Sequence, residues 1–180
     1  MRTSLIHGVV SGVVLLAQDQ SPKTPIEDFK DHVSAYMKLH KAAETDRGAL
    51  SPTRSPQQIE DKKSSIAEGV RAQRSNAAPG DIFTPPIATE FRRIIAVGLK
   101  HRPKRIRESI RSGEQVMTKL QVNGPYPEGL PVETMPPSIL LSLPKLPSQL
   151  EYRFVGTTLV LRDVTANVIV DLIPNAIALH

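Results

Sequence analysis

The chain has 180 residues, enough for one ordinary domain, and its 39% apolar and 23% charged content is that of a globular chain rather than a disordered one. It contains no cysteine, which excludes disulfides, thiolate metal sites and thiol nucleophiles, and its three Tyr and four Phe with no Trp argue against an aromatic platform for sugars or bases. The net charge of +5 is local: between Arg92 and Arg111 eight bases stand against Glu108 alone, a net of +7, so the rest of the chain is at −2.

Met1-Arg2 precedes an apolar run from Leu5 to Ala17, which ends abruptly at Gln18-Asp19-Gln20. One positive charge, a short apolar stretch and a polar exit are the layout of a secretory signal peptide. The run is too short to cross a bilayer, which takes ~20 residues. Residues 1–17 are therefore expected to be a signal peptide, with a periplasmic or secreted destination and no transmembrane span.

Thr24-Pro25-Ile26-Glu27 predicts a helix start, with Thr24 capping an orphan amide, Pro25 in the first turn and Glu27 closing a capping box. Ile26, Phe29, Val33, Met37 and Ala43 follow at helical spacing with Tyr36 beside them, and the helix should end near Gly48. Ser55-Pro56-Gln57-Gln58 repeats the start signal, and Ile59, Ile66, Val70 and Ala77 form a narrow apolar stripe. The loop from Arg47 to Arg54 would join the two as a helical hairpin. Thr84-Pro85-Pro86 opens a third helix with Ile87, Phe91, Ile94 and Ile95 on one side, and Pro103 permits a fourth carrying Ile106, Ile110 and Met117.

Seven of the sixteen prolines fall between Leu120 and Leu150. Each removes an amide donor and fixes its own φ, so no long regular element can persist there. Asn123-Gly124 reads as a turn and Pro137 to Leu143 as one or two helical turns. The last thirty residues carry the clearest β pattern: Glu151–Val155, Thr158–Val164 and Asn167–Ile173, joined at Gly156-Thr157 and Thr165-Ala166. Two-residue turns set Phe154 opposite Leu159, Tyr152 opposite Leu161, Leu161 opposite Val170 and Leu159 opposite Leu172, all on the buried face. The other face would then pair Glu151 with Arg162 and align Arg153, Val160 and Asp171. The fold class expected is α+β: three to four N-terminal helices (24–117) packed on a C-terminal three-stranded antiparallel β-meander (151–173), with a Pro-rich ordered connector (118–150) between, all in one domain over 18–180.

Gly80-Asp81-Ile82-Phe83-Thr84-Pro85, the segment from Val122 to Gly129 and the tail from Glu151 to Ala176 resemble a group of uncharacterised secreted bacterial proteins over roughly residues 20 to 178. That resemblance implies export and carries no activity. The three-strand tail, with its aromatic-Arg-aromatic opening Tyr152-Arg153-Phe154, is also similar to the C-terminal meander of periplasmic nickel and cobalt homeostasis proteins of the RcnB type. No metal ligand of that family maps onto a residue of this chain.

Signatures of common chemistry are missing: there is no phosphate-cradling Gly-rich loop with Lys, no His-Glu-x-x-His, no Gly-x-Ser-x-Gly and no EF-hand spacing. No cofactor is implied. Ser142-Leu143-Pro144-Lys145 matches Ser-x-x-Lys formally, but its companion motifs are absent and Pro144 interrupts the turn. His32 and His40 share the first helix with Asp28, Tyr36 and Glu44 at four-residue steps, a set that could ligate zinc or nickel in a metal-associated or hydrolytic protein. Steps of four drift by ~40° each around a helix, so the five spiral away from a common face, and His40 falls on the apolar stripe. The reading favoured by the residues is a non-enzymatic envelope protein that binds an anionic envelope component or another protein through Arg102, Lys104, Arg105, Arg107 and Arg111. No aromatic residue interleaves with those bases, which argues against single-stranded nucleic acid.

Overall fold

A computed structural model describes residues 22–46, 55–100, 119–127 and 137–177. The expected signal peptide, the loop from Arg47 to Arg54, the fourth helix after Pro103 and the bases Arg102, Lys104, Arg105, Arg107 and Arg111 lie outside the described residues.

Helix α1 (Pro25–Asp46) begins with the expected capping box: the Thr24 amide donates to Glu27 Oε2 at 2.8 Å, and the Glu27 amide donates to Thr24 Oγ1 at 3.3 Å. Its buried residues, Phe29, Val33, Tyr36, His40 and Ala43, recur every three or four positions and make one stripe. Helix α2 (Pro56–Gln73) starts at the Ser55 cap and buries Ile66, Ala67, Gly69 and Val70. Helix α3 (Pro85–Leu99) buries Ile87, Ala88, Phe91, Ile95 and Leu99. Two turns of helix, α4 (Pro137–Ser142), fall where Pro137 can supply a first-turn residue without losing a hydrogen bond. Helix α1 packs against α2 and α3, and α3 against α4.

Strands β1 (Leu150–Val155), β2 (Thr158–Asp163) and β3 (Val168–Ile173) form an antiparallel sheet in the order β1-β2-β3. Helices in the N-terminal part and a C-terminal meander make the fold α+β, as the sequence pattern indicates. The β1–β2 register matches expectation, with Tyr152 opposite Leu161, Phe154 opposite Leu159 and Glu151 opposite Arg162. Gly156, at φ 55°, supplies the left-handed residue of the tight turn.

The β2–β3 register differs. Asp163 pairs with Val168 and Arg162 with Ile169, but Leu161 then pairs with Asp171 and Leu159 with Ile173, so Val170 is an extra residue on β3. Beyond this bulge every side chain changes face relative to the regular pairing. Asp171 and Ile173 turn inward and are fully buried, and the row of Arg153, Val160 and Asp171 becomes Arg153, Val160 and Leu172. Val170 remains in the core, in one cluster with Tyr152 and Leu161.

That cluster also takes in Phe29, Phe83 and Phe91, so four of the seven aromatic rings meet where the helices contact the sheet. Phe29 lies 4.9 Å from Phe91 and Phe91 lies 5.9 Å from Tyr152, centroid to centroid. Such pairs contribute about 0.5–1.5 kcal/mol each beyond their buried area. The Asn123-Gly124 turn lies along the outer edge of β3: the Asn123 amide donates to the Ile169 carbonyl at 2.8 Å and the Ile169 amide to the Gly124 carbonyl at 2.9 Å. This closes one edge of a short sheet that would otherwise expose unpaired backbone groups.

Candidate functional site

Two buried carboxylates lie on the bulged hairpin, Asp163 at its turn and Asp171 beside the bulge, and both are occupied by the fold. Asp163 Oδ2 accepts from the Tyr36 hydroxyl at 2.7 Å and lies 2.6 Å from His40 Nδ1, while its Oδ1 accepts from the Thr165 and Ala166 amides at 2.9 and 2.8 Å. The hydrogen bond to Asp163 raises the affinity of His40 for a proton, against the opposing effect of burial. Burial, followed by the neighbouring Asp163 charge, pushes the Tyr36 hydroxyl far above its usual range. His40 Nε2 is buried with no hydrogen-bond partner.

Asp171 is the second buried carboxylate. Its Oδ2 accepts from the Ile82 and Phe83 amides at 2.8 and 2.7 Å, and its Oδ1 from the Gly80 and Leu172 amides at 3.0 and 2.8 Å. Four backbone donors on one carboxylate explain why it turns inward despite its charge. The carbonyl of the extra residue, Val170, accepts from Arg74 Nη2 at 3.1 Å, and the Arg74 guanidinium lies over the Tyr36 ring at 5.3 Å. Regular strand pairing puts Asp171 on the solvent face; an acid inside the apolar run Val168-Ile169-Val170-Asp171-Leu172-Ile173 is the signal in the sequence that it is buried instead.

The structure places His32 and His40 in different surroundings. Eight helical residues separate them by about 12 Å along α1, and His40 is in the core whereas His32 borders an open groove of about 440 Å³. His32 Nδ1 lies 2.6 Å from the Asp81 carbonyl oxygen, so that nitrogen carries the proton, and Nε2 lies 3.6 Å from Asp28 Oδ1. The other charges of the groove are coupled to one another: Lys23 with Asp31, and Arg74 Nη2 with Asp81 Oδ2 at 3.8 Å. Among the described residues no group of three or more His, Asp or Glu side chains is placed to hold a metal ion.

A second groove, of about 610 Å³, runs between α2 and Pro125-Tyr126-Pro127. Arg162, one of its bases, stacks over Tyr126 at 4.5 Å and is engaged by Glu151 at 3.1 Å and Asn167 at 2.8 Å.

The described start of the basic run is different in kind. Arg92 and Arg93 on α3 and Lys100 directly after it are exposed, at the rim of an apolar slot of about 390 Å³ walled by Ile95, Ala96, Leu99 and Ile177. Arg92 donates to the Pro174 carbonyl at 3.0 Å, and Arg93 grips Glu90 through two nitrogens at 2.8 and 2.6 Å. On the same helix Gly98 faces α4 so closely that a Cβ there would lie 3.1 Å from Ile139 Cγ1. Around that contact Val97 is 59% exposed, Leu140 52% and Leu141 86%, the exposed large hydrophobic residues among those described. No helix among the described residues is long and apolar enough to cross a membrane. No family model matches the chain, and no curated protein or solved structure was found to match it.

Proposed function

We propose that the chain is a non-enzymatic, exported cell-envelope protein that binds an anionic envelope component or another protein through Arg102, Lys104, Arg105, Arg107 and Arg111. The supporting observation is the charge distribution: eight bases against one acid within twenty residues, in a chain whose remainder is slightly acidic. Such a run attracts polyanions over a distance set by the ionic strength. Its described start, Arg92, Arg93 and Lys100, lies on the solvent side of α3. Export rests on the signal-peptide layout of residues 1–17 and on the resemblance to secreted bacterial proteins.

The reading is tested by changing Arg102, Lys104, Arg105, Arg107 and Arg111 together to Gln and measuring binding of the full chain to labelled polyglutamate at low and high salt. The unaltered chain should bind in a salt-sensitive way and the variant should not. Equal binding by both would overturn it.

A further inference from the structure

We infer that the C-terminal end of α3, together with α4, docks on the surface of an anionic lipid bilayer; this rests on the proposed anion binding and names the partner. The exposed large hydrophobic residues of the described chain are not scattered. Val97 belongs to α3, Leu140 and Leu141 to α4, and the two helices meet at the Gly98–Ile139 contact, so all three stand within two residues of that contact along the chain.

Bases stand close by in sequence. Arg93, Val97 and Lys100 succeed one another at spacings of four and three and are all exposed, which puts the Glu90-paired Arg93 on one side of Val97 and Lys100, the C-cap of α3, on the other. Lys100 has no ion-pair partner among the described residues, and Lys145 is exposed three residues beyond α4.

The shape of the patch selects a bilayer over a folded acidic protein. Leu141 is 86% exposed, so it projects from the surface instead of lining a recess. Protein interfaces are centred on aromatic and Arg anchors that fill complementary pockets, and neither α4 nor α3 beyond Phe91 contains an aromatic residue. Projecting aliphatic side chains bordered by bases suit the boundary between headgroups and acyl chains, where apolar burial and attraction to anionic lipid add. Each base near the surface is worth about a fivefold gain in affinity.

Co-sedimentation of the full chain with vesicles tests the inference, using phosphatidylcholine alone and a mixture with phosphatidylglycerol. Binding should require phosphatidylglycerol and weaken with salt. Leu140→Ser with Leu141→Ser should weaken it by about tenfold, while circular dichroism and binding to polyglutamate stay unchanged, since both side chains are largely in solvent. Lys100→Gln should weaken it by about fivefold. Binding to polyglutamate with no binding to phosphatidylglycerol vesicles would overturn the bilayer and leave the anion-binding reading standing. Vesicle binding unaffected by the serine pair would also overturn it, and loss of both kinds of binding in the five-Gln variant alone would place the contact in the basic run without the junction.

Discussion

His40 Nδ1 on α1 lies 2.6 Å from Asp163 Oδ2 at the end of β2, joining residues 123 positions apart in a site from which solvent is excluded. With the Tyr36 hydroxyl and the Thr165 and Ala166 amides, Asp163 gathers four donors. One carboxylate thus both closes the β2–β3 turn and ties the first helix to the sheet. Asp163→Ala would leave those donors unpaired in the core and should destabilise the fold by about 3–5 kcal/mol. Urea unfolding followed by circular dichroism measures it, and a loss below about 1 kcal/mol would mean that the contact is not made in solution.

The same pair gives stability a pH dependence of known sign. Asp163 raises the His40 pKa in the folded chain, whereas the unfolded chain titrates near ~6.5. Between those two values the folded state holds the extra proton. The stabilisation is therefore complete below the unfolded value and is lost as pH rises through the folded one. Urea midpoints measured from pH 6 upward should fall across that window in the native chain and stay flatter in His40→Gln.

Asp171 makes a separate prediction about a loop. Its carboxylate holds the amides of Gly80, Ile82 and Phe83, which form the turn leading into α3. Asp171→Ala should cost about 3 kcal/mol or more and selectively speed hydrogen exchange at those three amides. Exchange unchanged at Ile82 and Phe83 would contradict the assignment.

The exposed pairs on the opposite face should contribute little. Glu151 meets Arg162 at 3.1 Å and Arg153 at 2.7 Å, all about a quarter exposed. A double-mutant cycle between Glu151 and Arg162 should return a coupling of about 0.2–1 kcal/mol that shrinks with added salt. A value of several kcal/mol would mean that the pair is more deeply enclosed than its exposure indicates.

Much of this arrangement is legible in the residues because it is local. Thr24 and Glu27, Ser55, and Pro85-Pro86 announce three helix starts through backbone chemistry that needs no tertiary partner. Gly156-Thr157 does the same for the first hairpin, with the expected pairing of Tyr152 and Leu161. The bulge at Val170 was not legible, because its causes lie far away in sequence: Arg74 takes the Val170 carbonyl, and the amides of Gly80, Ile82 and Phe83 draw Asp171 inward. Nor does anything within Asn123-Gly124 indicate that it flanks β3. At the candidate site, the basic run is plain in composition, but the clustering of Val97, Leu140 and Leu141 depends on how α3 meets α4. The histidine spacing on α1 is visible in the sequence, whereas the separate fates of His32 and His40 depend on Asp81 and Asp163.

The central claim is that recognition belongs to the basic run up to Arg111, with the adjoining end of α3, and not to the groove around His32. Titrating the isotopically labelled chain with soluble short-chain phosphatidylglycerol and following backbone amide shifts locates the contact directly. Shifts should concentrate from Val97 to Arg111 and at Leu140 and Leu141, leaving Asp28, His32 and Asp81 unmoved. Shifts centred on Asp28, His32 and Asp81, with α3 silent, would contradict it.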